Sequence, residues 1–211
     1  MRTAIVVLIV MLIQNFGFTQ TKFTEFKAGV LNPENAKTGF MGGVNFGRSV
    51  DENVGVSFAA DVYRRSYTDE TVIYQAETSN GVVEEQFQTE SEQSTTMIPL
   101  FFQLHYQGPV SNIFNIRVSG GLGYEFLWNS ITNYNTGEDN TKFFHGFGWH
   151  VDLGAMYPLS RASDIFAEVT YHGGKPGKGE GKNEAGLPIR KEINMSGFGV
   201  RIGMRIYNFG F

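Results

Sequence analysis

Eight times along this chain, apolar residues take every second position, while the positions between them hold glycine, small polar residues and full charges. Successive side chains of a β-strand point to opposite sides of a sheet, so this period of two marks strands with two unlike faces. In the first segment, about 25–31, Phe26, Ala28 and Val30 share a face; in the second, about 39–48, Phe40, Val44 and Phe46 do. The third carries Val54, Val56, Phe58, Ala60 and Val62, and the fourth Ile98, Leu100, Phe102, Leu104 and Tyr106. The fifth has Phe114, Ile116, Val118, Leu122, Tyr124 and Phe126, and the sixth Phe147, Trp149, Val151, Leu153 and Tyr157. Ile165, Ala167, Val169 and Tyr171 follow in the seventh, then Phe198, Val200, Ile202, Met204 and Ile206 in the eighth. After residue 20 no helical period is sustained, so the expected class is all-β.

The alternate face decides which kind of β protein this is. It carries Glu25, Lys27, Asp61, Arg65, Arg117, Glu125, Asp152, Glu168, Arg201 and Arg205, five cations against five anions, among many of the chain's 26 glycines. A soluble ligand carrier of the lipocalin kind turns its apolar face inward and its charges to water. Water demands neither glycine nor a balance of signs on that face. An inverted barrel demands both, because charges in its interior must pair and long side chains in a narrow lumen need glycine opposite them. The expected architecture is therefore an eight-stranded antiparallel up-and-down transmembrane barrel with a side-chain-filled lumen. Eight strands leave room for side chains but not for a porin-sized channel, so a pore of low conductance is the most a channel reading allows.

Connections and aromatics agree with this. Segments 49–53, 108–112 and 158–163 are tight, whereas 67–95, 129–142 and 173–192 are long, with 31–37 the one short loop on the long-loop side. Outer-membrane barrels alternate short periplasmic turns with longer extracellular loops. Tyr106, Phe114 and Tyr157 close one end of the apolar band, and Phe126, Trp128 and Tyr171 the other, as membrane-interface girdles do. Residues 1–20 read as a secretory signal: Arg2, an apolar run from Ala4 to Ile13, then Gln14, Asn15, Gly17 and Thr19. The run is about half of the roughly 20 residues a spanning helix needs. The barrel domain is then 21–211, exported to the outer membrane of a Gram-negative-type bacterium.

The composition excludes other classes. With no Cys there are no disulfides, thiolate catalysis, Cys-ligated metals or lipoprotein anchor, and a net charge of −4 offers no footprint for nucleic acid. Neither a cofactor nor a metal is expected.

The layout from Phe23 to Phe211 resembles the small eight-stranded outer-membrane barrels of the OmpA/OmpX type. Tyr207, Phe209 and Phe211 look like the carboxy-terminal aromatic signal read by the barrel-assembly machinery in such proteins. Those residues are out of phase with Val200, Ile202, Met204 and Ile206, and a bulge or turn near Tyr207 reconciles the two sets. Met97-Ile98-Pro99-Leu100 also resembles a motif of related barrels, with a bulge expected at Pro99 because proline lacks a ladder donor. The resemblance implies a non-enzymatic envelope protein without the peptidoglycan-binding domain of larger relatives. It further implies outer-membrane lipid and lipopolysaccharide as surroundings and a monomer as the working state.

Two loops stand out. Asn80-Gly81, flanked by Val72-Ile73-Tyr74 and Val82-Val83, suits a two-residue hairpin turn, so the third and fourth strands are expected to continue past the membrane as a ribbon. From Asp69 to Glu92 it carries Asp69, Glu70, Glu77, Glu84, Glu85, Glu90 and Glu92 with no Lys or Arg: an adhesive edge that pairs with a strand of an extracellular protein, an acidic surface for cations or basic proteins, or a solvated face that resists aggregation. With a balanced lumen, most of the net negative charge would sit there. The loop 173–192 holds Lys175, Lys178, Lys182, Arg190 and Lys191 against Glu180, Glu184 and Glu192, fit for lipopolysaccharide phosphates or the acidic ribbon, or simply flexible. His150 and Asp152 share the inward phase, which raises the alternative of a lipid A deacylase-like enzyme, but no Ser stands near His150 on its strand. His105, His145 and His172 have no clustered partners in sequence either.

Overall fold

The computed structural model describes residues 21–34, 36–77, 83–111, 113–134, 136–182 and 188–209. The signal segment 1–20, the Asn80-Gly81 turn with Val82, and Phe211 lie outside the described residues. The strands are β1 (Lys22–Pro33), β2 (Gly39–Ser49), β3 (Val54–Glu77), β4 (Val83–Pro109), β5 (Asn115–Asn133), β6 (Glu138–Pro158), β7 (Ser163–Gly174), β8 (Gly177–Lys182), β9 (Pro188–Glu192) and β10 (Gly197–Tyr207).

β1 to β7 and β10 pair antiparallel, each with its two neighbours, and the β1–β10 and β5–β6 ladders close the circle. These are the eight strands expected from the alternation. Closure leaves no edge in the barrel wall, the condition for strands to cross lipid, where an unpaired backbone group has no water to turn to. The apolar phases all face outward: Phe102, Leu122, Phe147 and Ile202 each keep more than 60% of their surface exposed. Their alternating neighbours Glu25, Arg117, Glu125 and Arg201 are at most 1% exposed. A soluble carrier with an apolar interior is thereby excluded, because no water-soluble surface presents such a continuous belt.

All three short turns at one end are closed by a side chain that caps backbone donors. Asp51 Oδ1 accepts from the amides of Asn53 and Val54 at 2.7 and 2.6 Å. Ser111 Oγ does the same for Ile113 and Phe114, and Ser160 Oγ for Ala162. Small polar side chains of this kind make the turn itself, which is why these connections need so few residues.

At the other end the structure departs from the expected loops. The segment 129–142 is mostly strand, with β5 and β6 paired as far as Asn133 and Glu138. The segment 173–192 is no simple loop: β8 and β9 form a hairpin that touches β6 at the His145–Gly177 pair. Met195 N donates to Gly174 O and Ile193 N to Pro176 O, which ties the returning chain to the barrel mouth. Pro99 needs no bulge. The β3–β4 ladder omits the positions opposite Pro99 and Ile98 and resumes in the same register, so the missing donor costs local pairing and no shift. The register shifts lie higher, at Asp69/Glu70 and Val72/Tyr74 in the ribbon.

The carboxy terminus has the expected turn. Asn208 adopts φ 56°, the left-handed conformation that asparagine tolerates better than most residues. Tyr207 keeps the inward phase and donates to Asp164 at 2.6 Å, while Phe209 swings outward and packs edge-on against Phe26 at 6.4 Å.

Candidate functional site

The lumen and its extracellular mouth are the places where polar chemistry gathers. From the periplasmic end, Arg205 donates from Nε to Glu25 Oε1 at 2.7 Å and from Nη1 to Gln107, and its guanidinium covers the Phe23 ring at 4.2 Å. Arg117 clasps the same carboxylate with both terminal nitrogens, at 2.6 and 2.8 Å. This is the bidentate geometry that only Arg offers. One layer further, Arg201 meets three carboxylates: Asp152 at 2.6 Å, Glu168 at 2.8 Å and Asp61 at 3.4 Å. Glu168 is shared with Arg117 at 3.4 Å, and Lys27 stands 3.9 Å from Asp61. Eight of the ten charged residues picked out from the alternation therefore form one buried network.

The other two do not belong to it. Glu125 meets His172, whose Nε2 is 2.9 Å from its Oε1, and among the described residues no Arg or Lys pairs with it. Arg65 lies above the network at the extracellular mouth, half-buried. The buried charged side chains among the described residues are then four cations, Lys27, Arg117, Arg201 and Arg205, against six anions, Glu25, Asp61, Glu125, Asp152, Asp164 and Glu168. The expected neutral lumen is corrected accordingly: two formal negative charges are left inside, and the acidic ribbon does not hold the whole deficit.

Between the network and the mouth lies a feature that the alternation alone does not reveal. Met41, Tyr63, Met97, Leu127 and Phe144 are successive cross-strand partners on β2, β3, β4, β5 and β6, and all five point inward. Leu31 and Met195 complete an apolar plug in which no member is more than 4% exposed. Tyr63 fixes it to the first extracellular loop by donating to Lys37 O at 2.6 Å. A signal for it exists in the sequence, since each of these five residues occupies the inward phase near the extracellular end of its segment. The charges in the same phase mask it.

Histidine chemistry inside the lumen can be read from donor directions. Ser57 Oγ lies 2.5 Å from His105 Nε2, a Ser–His pair that sequence spacing does not suggest. Arg117 Nη2, which can only donate, lies 3.3 Å from His105 Nδ1, so Nδ1 accepts and Nε2 carries the proton. His105 thus donates to Ser57, and Ser57 donates onward to Gln103 Oε1 at 3.3 Å. Gln103 Nε2 in turn reaches His150 Nε2 at 2.8 Å. The chain of donors runs in one direction, opposite to what a base activating a serine requires. His150 faces Asp152 at 3.4 Å and the Phe101 ring at 4.6 Å, closed off from lipid and water alike.

Glycine shapes this interior by close approach. A Cβ at Gly148 would stand 1.7 Å from Glu125 Oε1, and one at Gly174 would stand 2.3 Å from Glu125 Oε2. Glu125 is held between these two backbones, so Gly148→Val is expected to cost about 1–3 kcal/mol of overpacking, read as a lowered urea midpoint of the folded gel band. Unchanged stability would mean that the carboxylate has room the packing does not show.

The girdle residues occupy the two ends of the exterior. Tyr106, Phe114 and Tyr157 are exposed beside the short turns. Trp128 packs with Phe143 at 5.2 Å and Tyr171 with Phe198 at 4.8 Å at the far end, where Phe126 also stacks on Phe143.

These features define a small eight-stranded β-barrel of the outer-membrane type, apolar toward lipid and filled within, whose place is the outer membrane. No protein-family model matches the sequence, and no curated protein matches it either. Solved structures do. A major outer membrane protein from Thermus thermophilus aligns over 90% of this chain and 100% of that one, with a TM-score of 0.55 and 15% identity. OprG from Pseudomonas aeruginosa (90% and 96% covered, TM-score 0.49, 14% identity) and the protease OmpT from Escherichia coli (90% and 93%, TM-score 0.46, 10% identity) align less well. Of these three, the Thermus protein alone exceeds a TM-score of one half, and at that identity it speaks for the architecture only.

Proposed function

We propose that this protein is a non-enzymatic, non-conducting outer-membrane barrel that works through what it presents outside the cell. The observation that carries the reading is the division of the molecule: a lumen filled by ion pairs and plugged by Met41, Tyr63, Met97, Leu127 and Phe144, under strands far longer than a membrane needs. About ten tilted residues cross the hydrocarbon, whereas β3 and β4 have 24 and 27. From the Arg65–Thr95 pair outward the ribbon adds roughly 40 Å of strand at about 3.3 Å per residue. Its acidic sequence suits a basic or strand-adding extracellular partner, and the Lys-rich β8–β9 hairpin suits lipopolysaccharide phosphates. Tyr207, Phe209 and Phe211 are proposed as the signal for the assembly machinery.

Three experiments test this. In planar bilayers the purified barrel is expected to give no porin-like current steps, and regular steps would refute the plugged lumen. Cells carrying the ribbon 67–95, or a short turn in its place, would be compared for adhesion to extracellular matrix proteins. Loss of adhesion with the ribbon, while the folded gel band persists, supports the reading; equal adhesion refutes it. A change in lipid A mass that disappears in His150→Ala would overturn the non-enzymatic assignment.

A further inference from the structure

The extracellular mouth is a vestibule whose lining residues Ala36 and Ile193 pack on the apolar plug, and its charges are unequally satisfied. Two adjoining clefts of 720 and 620 Å³ share Glu34, Ala36, Lys37 and Arg65 as walls. The carboxylates there are already engaged: Glu34 accepts from Asn194 Nδ2 at 2.5 Å, and Glu192 pairs with Arg190 at 2.9 Å. The cations are not so engaged. Arg65 Nε is buried with no hydrogen-bond partner among the described residues, and Lys37 Nζ rests on the face of the Tyr67 ring, 3.1 Å from its centroid. A buried guanidinium nitrogen without an acceptor is costly, and a cation on an aromatic face holds a weaker substitute for an anion. Beside Arg65 on the adjoining strands, Gln93 Nε2 and Thr95 Oγ1 both donate to Asn129 Oδ1, at 3.3 and 3.1 Å, so polar groups line the cleft next to the two cations.

We infer that this vestibule is a binding site for a small polar molecule bearing one oxyanion, a carboxylate or a phosphate, gripped by Arg65 with Lys37 moving from Tyr67 to join it. Arg65 supplies the planar fork that matches either group, and Lys37 supplies a mobile second charge. The amides and hydroxyls of Gln93, Thr95 and Asn129 offer both donors and acceptors to hydroxyl groups on the rest of the molecule. The plug beneath stops the ligand from passing inward, so the site captures and does not transport. The inference is independent of any protein partner of the ribbon.

Titration calorimetry on the mature protein in lipid nanodiscs at low salt tests it, with glucuronate, inorganic phosphate and glucose as probes. Glucuronate or phosphate is expected to bind and glucose to show no heat of binding. Comparing the two anions tells whether a carboxylate or a phosphate fits better. Arg65→Gln is expected to weaken the bound anion about tenfold or more, the loss of a charged hydrogen-bond pair, and Lys37→Gln to weaken it less. Both positions lie at the extracellular mouth, above the ion-pair network, and a folded gel band identical to that of the natural chain confirms their integrity. Equal affinity in Arg65→Gln, binding of glucose as tight as that of glucuronate, or no heat with either anion would each overturn the inference.

Discussion

Replacing Arg201 with methionine is expected to destabilise the barrel by about 3–5 kcal/mol, the largest effect of any single exchange considered for this molecule. Arg201 is 1% exposed and answers Asp152, Glu168 and Asp61 together. Methionine fills much of the same volume, so the loss comes from three carboxylates left without their main cation in a place water does not reach. Arg117 relieves only Glu168, from 3.4 Å, and Lys27 only Asp61, from 3.9 Å. The measurement is urea unfolding followed by the mobility difference between folded and unfolded barrel. Adding Asp152→Asn to Arg201→Met should recover part of the loss, because one stranded charge is then gone. A cost below about 1 kcal/mol would mean that the network is solvated and that the ion pairs do not hold the lumen.

The adjacent residue obeys the opposite rule. Ile202 stands at the middle of β10, 65% exposed, flanked by Ala28 and Ala167 on the outer surface. Ile202→Lys is expected to cost about 2–4 kcal/mol, the depth-dependent penalty for a cation at the bilayer midplane. Thr141→Lys, on the exposed part of β6 above the membrane, is the control and should change stability by no more than about 0.5 kcal/mol. If Ile202→Lys were as harmless as the control, the exterior would face water and the membrane assignment would fall. Together the two substitutions reverse polarity at neighbouring positions, and both are expected to be severe.

Much of this was legible in the sequence because a strand has only two sides. Period two sorted Arg201 from Ile202, and the signs and glycines of one side marked it as interior. The short turns at Asp51, Ser111 and Ser160 declared their own end of the barrel. The connections 129–142 and 173–192 misled, since polar residues that pair well above a membrane look the same in sequence as residues that do not pair. Arg65 looks in sequence like a member of the network for a related reason: it shares the inward phase with Asp61, but it lies two residues beyond Tyr63 and thus above the plug.

What the sequence by itself determined was the face on which each side chain lies, and with it the inverted barrel. What only the tertiary structure decided was height. Alternation says in or out, but which residues meet across the lumen depends on the stagger of eight strands around a closed wall, a property of no single segment. That stagger aligns Met41, Tyr63, Met97, Leu127 and Phe144 into one apolar layer and gives Arg201 its three carboxylates from β3, β6 and β7. It also leaves Arg65 and Lys37 above the plug, in reach of the outside and, among the described residues, without a carboxylate of their own.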